Sequence, residues 1–113
     1  MSVITVNQAL DAALREEMRR DSRVLLFGEG AAVRYRDLHR EFGISRVRSM
    51  PIAGAITGAA VGAAASGLRP VVDLSFAPIL TVSMNALINH AAKLRYMSGG
   101  QFEFPLVVLA STG

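Results

Sequence analysis

The stretch PIAGAITGAAVGAAASGLRPVVDL, Pro51 to Leu74, decides the fold. No charged side chain occurs before Arg69, and the first part is built from Ala, Gly, Ile, Val and small hydroxyls. This composition predicts a helix from about Gly54 to Ser66, stopped at Gly67. Pro70-Val71-Val72-Asp73-Leu74 then reads as a strand. Its hydrophobicity is continuous rather than alternating, as in a parallel strand covered on both faces. A membrane-spanning helix needs ~20 strongly apolar residues. This Gly/Ala segment instead reads as a buried helix, so no membrane partner is expected.

Working outward, the same rhythm repeats. Thr5 with Gln8 three residues on forms a capping-box pattern. Ala9, Leu10, Ala13, Leu14 and Met18 follow at helical spacing, to about Arg20. Val24 to Phe27 is a short apolar strand ending at Gly28-Glu29-Gly30. Arg36 to Phe42 reads as a short helix closed by Gly43, and Arg46 to Met50 as an extended segment. Downstream, Pro78 opens a long helix running to about Arg95, Ser98-Gly99-Gly100 is a loop, and Pro105 to Ala110 is a third strand. Strands alternating with helices predict an α/β fold, a parallel sheet flanked by helices with right-handed crossovers. The last strand has no helix after it, so the fold is expected to be incomplete or completed by a partner.

The totals exclude several classes. The chain has 113 residues, 51% of them hydrophobic, which suits one small globular domain or part of one. It has no cysteine, so disulfides and thiolate metal sites are ruled out. The net charge of +3 is spread along the chain, which is a solvated surface rather than a nucleic-acid patch. No basic stub with an apolar core marks a secretory signal. No Ser-His-Asp order, P-loop or GxGxxG fingerprint is present. His39 reads as a helix-surface residue and His90 as helix-packed or a partner contact; neither has metal-ligand spacing.

Two features invite a functional reading. Gly54, Gly58, Gly62 and Ser66 recur every four residues, giving a helix face almost without side chains. Either it serves tight core packing alone, or close approach there builds a subunit interface or a ligand site at the helix start. Glu29 follows a buried strand, where open α/β sheets place ligands; it is either a site carboxylate or an ordinary loop acid. Asp73, inside a buried strand, requires a hydrogen-bond partner.

Taken together, LLFGE, EFGISRV, PI, GAAVGAAASGLRPVVD and INHAAKLRYMSGGQFEFPLVV resemble, in order and spacing, the beta subunit of the decarboxylating component of 2-oxo-acid dehydrogenase complexes. The pyruvate, branched-chain and acetoin-type enzymes belong there. AAKLRYMSGGQF is the most specific block. The resemblance implies that residues 1–113 form the N-terminal portion of a transketolase-like pyrimidine-binding domain. Such a domain holds the aminopyrimidine of thiamine diphosphate, while an alpha subunit holds the diphosphate and magnesium. It implies oxidative decarboxylation of a 2-oxo acid with acyl transfer to a lipoyl arm. The implied partners are the alpha subunit, a second beta copy and the acyltransferase core. The implied location is the bacterial cytoplasm, or the mitochondrial matrix in a eukaryote.

The same resemblance implies cofactor contacts at Glu29, Ile52, Gly54, Ser75 and Ile79. It also implies a backbone contact at Leu106 to a structural potassium ion in some members. The departures are informative. The family carries PISE or similar before the Gly/Ala helix, and its Glu hydrogen-bonds the aminopyrimidine. Here Pro51-Ile52-Ala53-Gly54 is one residue shorter, and Gly54 stands at or beside the Glu position. The loop after Gly28-Glu29 is also shorter than usual, and Ile79 replaces an aromatic. No catalytic residue is therefore assigned. An alternative stands beside the enzyme-subunit reading: a catalytically incompetent paralogue acting as a structural or interaction module.

Overall fold

The computed structural model describes residues 2–112. Four parallel strands form one sheet in the order β2-β1-β3-β4. They are β1 (Val24–Gly28), β2 (Val47–Ser49), β3 (Arg69–Phe76) and β4 (Val107–Ser111). The expected α/β architecture is therefore present. The extended segment at Arg46–Met50 proves to be an edge strand, with Leu26 opposite Val47 and Gly28 opposite Ser49. β3 lies centrally, with Gly28 opposite Asp73 on one side and Val71 opposite Val107 on the other.

Helix α1 (Val6–Arg20) begins as its sequence dictates. The Thr5 N–H donates to Gln8 Oε1 at 2.8 Å, and the Gln8 N–H donates to Thr5 Oγ1 at 3.2 Å. Leu14 and Met18 are buried against one sheet face with Val24, Leu26, Val47 and Val71. Helices α2 (Ala31–Arg34) and α3 (Arg36–Phe42) complete that layer through Ala31, Tyr35 and Leu38. The short α2 had no periodic signature to announce it. Arg15 and Arg19 of α1 both reach Glu41 of α3. Arg19 foremost, with Arg15, holds the Glu41 carboxyl below the usual range.

The other face is covered by α4 (Ala53–Ala65). Ala53, Ile56 and Ala60 pack on Phe27, Val72 and Leu74. The helix expected as one piece from Pro78 to Arg95 is divided. A 3₁₀ turn (Ala77–Ile79) leads into α5 (Leu80–Met84), a π-helical stretch (Asn85–Ala91) and α6 (Leu94–Met97). A π turn holds more residues than an α turn, so it changes which side chains after Met84 face α4. A 3.6-residue periodicity cannot register that change. No helix among the described residues is long and apolar enough to cross a membrane.

Two further readings need correction. His39 is half-buried rather than on the surface, its Nδ1 standing 3.1 Å from the Val47 carbonyl, which ties α3 to β2. The glycine stripe is not an internal packing seam. A Cβ placed at Gly58 or Gly62 would meet nothing within 4 Å, and Gly54 alone approaches a neighbour, Val82. The core face of α4 is instead Ala53, Ile56, Thr57, Ala60, Val61 and Ala64. His90 is exposed.

Candidate functional site

Parallel strands send their carboxyl ends to one edge of the sheet, where such folds place ligands. Three strand ends are locked there side by side. The Met50 N–H donates to the Gly28 carbonyl at 3.0 Å, and the Ala32 N–H donates to Ser49 Oγ at 3.0 Å. A Cβ at Gly28 would stand 3.0 Å from the Asp73 carbonyl oxygen, so β1 and β3 approach there closely enough that a larger residue would push the β3 backbone aside by a few tenths of an ångström. Gly30 turns the chain with a φ of 68°, starting α2.

Five of the sequence-derived residues lie at or just beyond these strand ends. Glu29 comes directly after β1 and is exposed, and among the described residues nothing hydrogen-bonds or ion-pairs with its carboxylate. Ile52 follows β2 as the N-cap of α4, is 62% exposed, and supplies no side-chain cap. Gly54 lies in the first turn of α4, half-buried, 3.7 Å from Val82 Cγ1 for a Cβ built on it. Ser75 is the penultimate residue of β3, and Ile79 lies in the 3₁₀ turn that follows, packed against the α4-side core. Leu106 is apart from them. It immediately precedes β4, hence at the opposite, amino edge of the sheet, with its side chain on the α4-side core.

The structure adds residues that periodicity did not single out. Asp73 is only 3% exposed. Its Oδ2 accepts the Tyr35 hydroxyl at 2.6 Å and faces Arg34 Nε at 3.2 Å, while Oδ1 accepts the Ser75 N–H at 2.8 Å. Burial first, and then the bond to Asp73, pushes the Tyr35 phenol well above its usual range. Phe76 is 63% exposed at the same edge. The demand of a buried carboxylate for partners was legible; that Tyr35 meets it was not, because the pair is far apart in sequence. Below, the hydroxyls of Thr57 and Ser83, both fully buried, stand 2.7 Å apart and bond the Ala53 carbonyl at 2.8 and 3.2 Å. They fix the first turn of α4 against α5.

The edge combines apolar side chains with unpaired backbone polar groups. Ile52, Phe76 and Ile79 offer apolar surface, and backbone groups at the strand ends and at the uncapped start of α4 offer polar contacts. At the start of α4 it offers no carboxylate, since position 54 is glycine; Asp73 has both oxygens committed internally, and the one uncommitted carboxylate at this edge, Glu29, is exposed after β1. For an aminopyrimidine, apolar side chains and free backbone groups are the donor set that could cover and hold such a ring, and the start of α4 lacks the acid that ring activation requires. No group of three or more His, Cys, Asp or Glu suited to a metal occurs among the described residues.

Fold and edge define a parallel α/β domain of the kind that places ligands at its strand carboxyl ends. The sequence pattern described as "Transketolase, pyrimidine binding domain" matches residues 2–113, and the chain belongs to that family. It is 39% identical over 120 residues to 2-oxoisovalerate dehydrogenase subunit beta of Bacillus subtilis (strain 168), covering 100% of this chain and 37% of that protein. It is 41% identical over 120 residues to pyruvate dehydrogenase E1 component subunit beta of Porphyra purpurea, covering 100% and 36%. Acetoin:2,6-dichlorophenolindophenol oxidoreductase subunit beta of Bacillus subtilis is 37% identical over 130 residues, covering 98% and 38%. The chain thus spans a little over a third of the length of these relatives.

Proposed function

We propose that this chain contributes the aminopyrimidine side of a thiamine diphosphate site in a 2-oxo-acid dehydrogenase. An alpha subunit would complete that site and carry the diphosphate and magnesium. A second beta copy and the acyltransferase core are the further partners of this reading, and the bacterial cytoplasm is its compartment. A backbone potassium contact at Leu106 belongs to the same proposal. The observation that carries it is the gathering of Ile52, Gly54, Ser75 and Ile79 at one sheet edge in a transketolase pyrimidine-binding domain.

When bound, thiamine diphosphate supplies a nucleophilic carbon that adds to the 2-oxo acid and accepts the electrons of decarboxylation. Ile52 and Ile79 would cover the ring by apolar contact, and Gly54 would place only backbone beside it in the first turn of α4. They offer no proton-transferring acid at the start of α4. Proton transfer by a positioned group contributes ~10²–10⁴-fold. That missing acid supports a second reading, a beta-type module that assembles without turning over.

The test is co-expression with an alpha subunit of a 2-oxo-acid dehydrogenase, followed by calorimetry with thiamine diphosphate and a dye-linked decarboxylation assay. Saturable binding with turnover depressed by ~10²–10⁴-fold against an acid-bearing beta subunit is expected. Gly54→Glu, whose Cβ meets Val82 only at ordinary contact distance, should raise turnover. Absence of saturable binding would overturn the proposal. Full turnover of the unaltered chain would sink the second reading.

A further inference from the structure

Ser75 is the one non-glycine residue with positive φ among the described residues, at 65°. L-residues with a side chain avoid that region, and such outliers persist only where their surroundings impose them. What imposes this one is visible. The Ser75 N–H is held by Asp73 Oδ1 at 2.8 Å. Asp73 is in turn held through Oδ2 by Tyr35 and Arg34, whose guanidinium also lies 5.7 Å from the Tyr35 ring centroid. The consequence is local. The β3–β4 register shifts between Asp73 and Phe76, so that Phe76 pairs with Ser111. β3 therefore bulges at Ser75 before pairing resumes at Phe76, which is exposed at the edge, while Ile79 in the following 3₁₀ turn is half-buried against the α4-side core.

We propose that Asp73 is a positioning residue: its buried carboxylate, braced by Tyr35 and Arg34, holds Ser75 in the left-handed region and so sets the Phe76–Ile79 wall of the ring site. The inference rests on the ring-site reading for its functional consequence. The clamp itself stands on the geometry. It separates the two carboxylates at this edge: Asp73 is consumed in shaping the wall, and Glu29 is left at the surface.

The test uses the chain paired with its alpha subunit and reads two quantities. One is thiamine diphosphate affinity by calorimetry. The other is amide hydrogen exchange and backbone chemical shift at residue 75 in the chain alone. Asp73→Ala is expected to speed exchange at residue 75 and weaken affinity on the order of tenfold, the size of an unsupported outlier. Glycine adopts positive φ freely. Ser75→Gly should therefore restore affinity in the Asp73→Ala background and improve it more there than in the unaltered chain. A merely structural role for Asp73 would leave its cavity unrepaired by that change, so no rescue would appear. If Asp73→Ala does not fold, Tyr35→Phe, which removes one brace, should give a smaller loss with the same rescue by glycine. Unchanged affinity in a folded Asp73→Ala, or absence of rescue, overturns the proposal. If the unaltered pair binds no thiamine diphosphate, the ring-site reading fails. The clamp is then judged by exchange alone: rapid exchange of the Ser75 amide, or shifts typical of an ordinary strand, overturns it.

Discussion

Helices α1 and α4 lie on opposite faces of the same sheet and are specified in opposite ways. α1 carries its instructions in its own residues: a Thr5–Gln8 capping box, buried Leu14 and Met18, and arginines in its last turn. Its side chains also reach sideways, to Glu41 of α3. α4 has no side-chain cap, no acid in its first turn and no base in its last. Three glycines weaken it as an isolated helix, each by about 1 kcal/mol relative to alanine. Its order comes from burial of Ile56 and Ala60 on the sheet and from the Thr57–Ser83–Ala53 hydroxyl cluster. A helix that depends on context can be small enough for another surface to approach; a helix that depends on itself cannot give up its side chains.

The largest test of that difference is Ile56→Ala. Ile56 is 1% exposed and central to the α4 contact with Phe27, Val72 and Leu74. Truncating a buried isoleucine costs about 2–5 kcal/mol, the lost transfer energy plus the cavity. Urea unfolding should show a free energy lower by that amount, read as a lower midpoint at unchanged slope. A loss well under the lower figure would mean that α4 holds itself in place, and the contrast with α1 would collapse.

A smaller effect of opposite sign is expected on the other side of the same helix. Gly58→Ala and Gly62→Ala add a Cβ to open space, so each should stabilise the isolated chain by about 0.5–1 kcal/mol through the backbone term alone. If the stripe exists for close approach by a partner, the same changes should weaken association with an alpha subunit or a second copy. Sedimentation of the mixed subunits, set beside thermal denaturation of the single chain, checks both. Stabilisation with undiminished association would show that the stripe serves no interface.

The contrast also explains what was legible in the sequence. The α1 boundaries, the buried strands at Val24 and Pro70 and the cap at Gly43 rest on local patterns, so they could be read directly. The stripe of Gly58 and Gly62 could not be assigned a face, because small residues carry no hydrophobic periodicity to orient them. The division of the Pro78–Arg95 helix was hidden for a related reason: its buried positions, Ser83 and Ala86, are small and carry no hydrophobic periodicity that would register the π stretch. At the candidate site, the residues named by family resemblance came to one edge, save Leu106. The clamp of Tyr35 on Asp73 depends on a contact between α3's entry and β3 that no spacing encodes.

The smallest prediction concerns the one end of the two helices whose stability is set by charge. Asp21 closes α1, and its carboxylate accepts the Arg23 Nε, NH2 and backbone N–H at 2.9–3.0 Å, with Arg69 at 3.5 Å. The Arg23 side-chain bonds first, then its backbone N–H, hold the Asp21 carboxyl at about 2, below the ordinary 3.8. A carboxyl depressed by folding stabilises the native state when ionised in both states, and that contribution disappears once it is protonated in both. Asp21→Asn should therefore lower the urea midpoint by a constant amount above the ordinary value. The gap should narrow as pH falls from 3.8 and close as pH passes below about 2. The contact is at the surface, so added salt should shrink the gap too. The Ile56→Ala gap should stay level across the same window, since the side chains it packs with, Phe27, Val72 and Leu74, do not titrate. Parallel pH dependence in the two variants would show that the ends of α1 and the core of α4 are not separately specified after all.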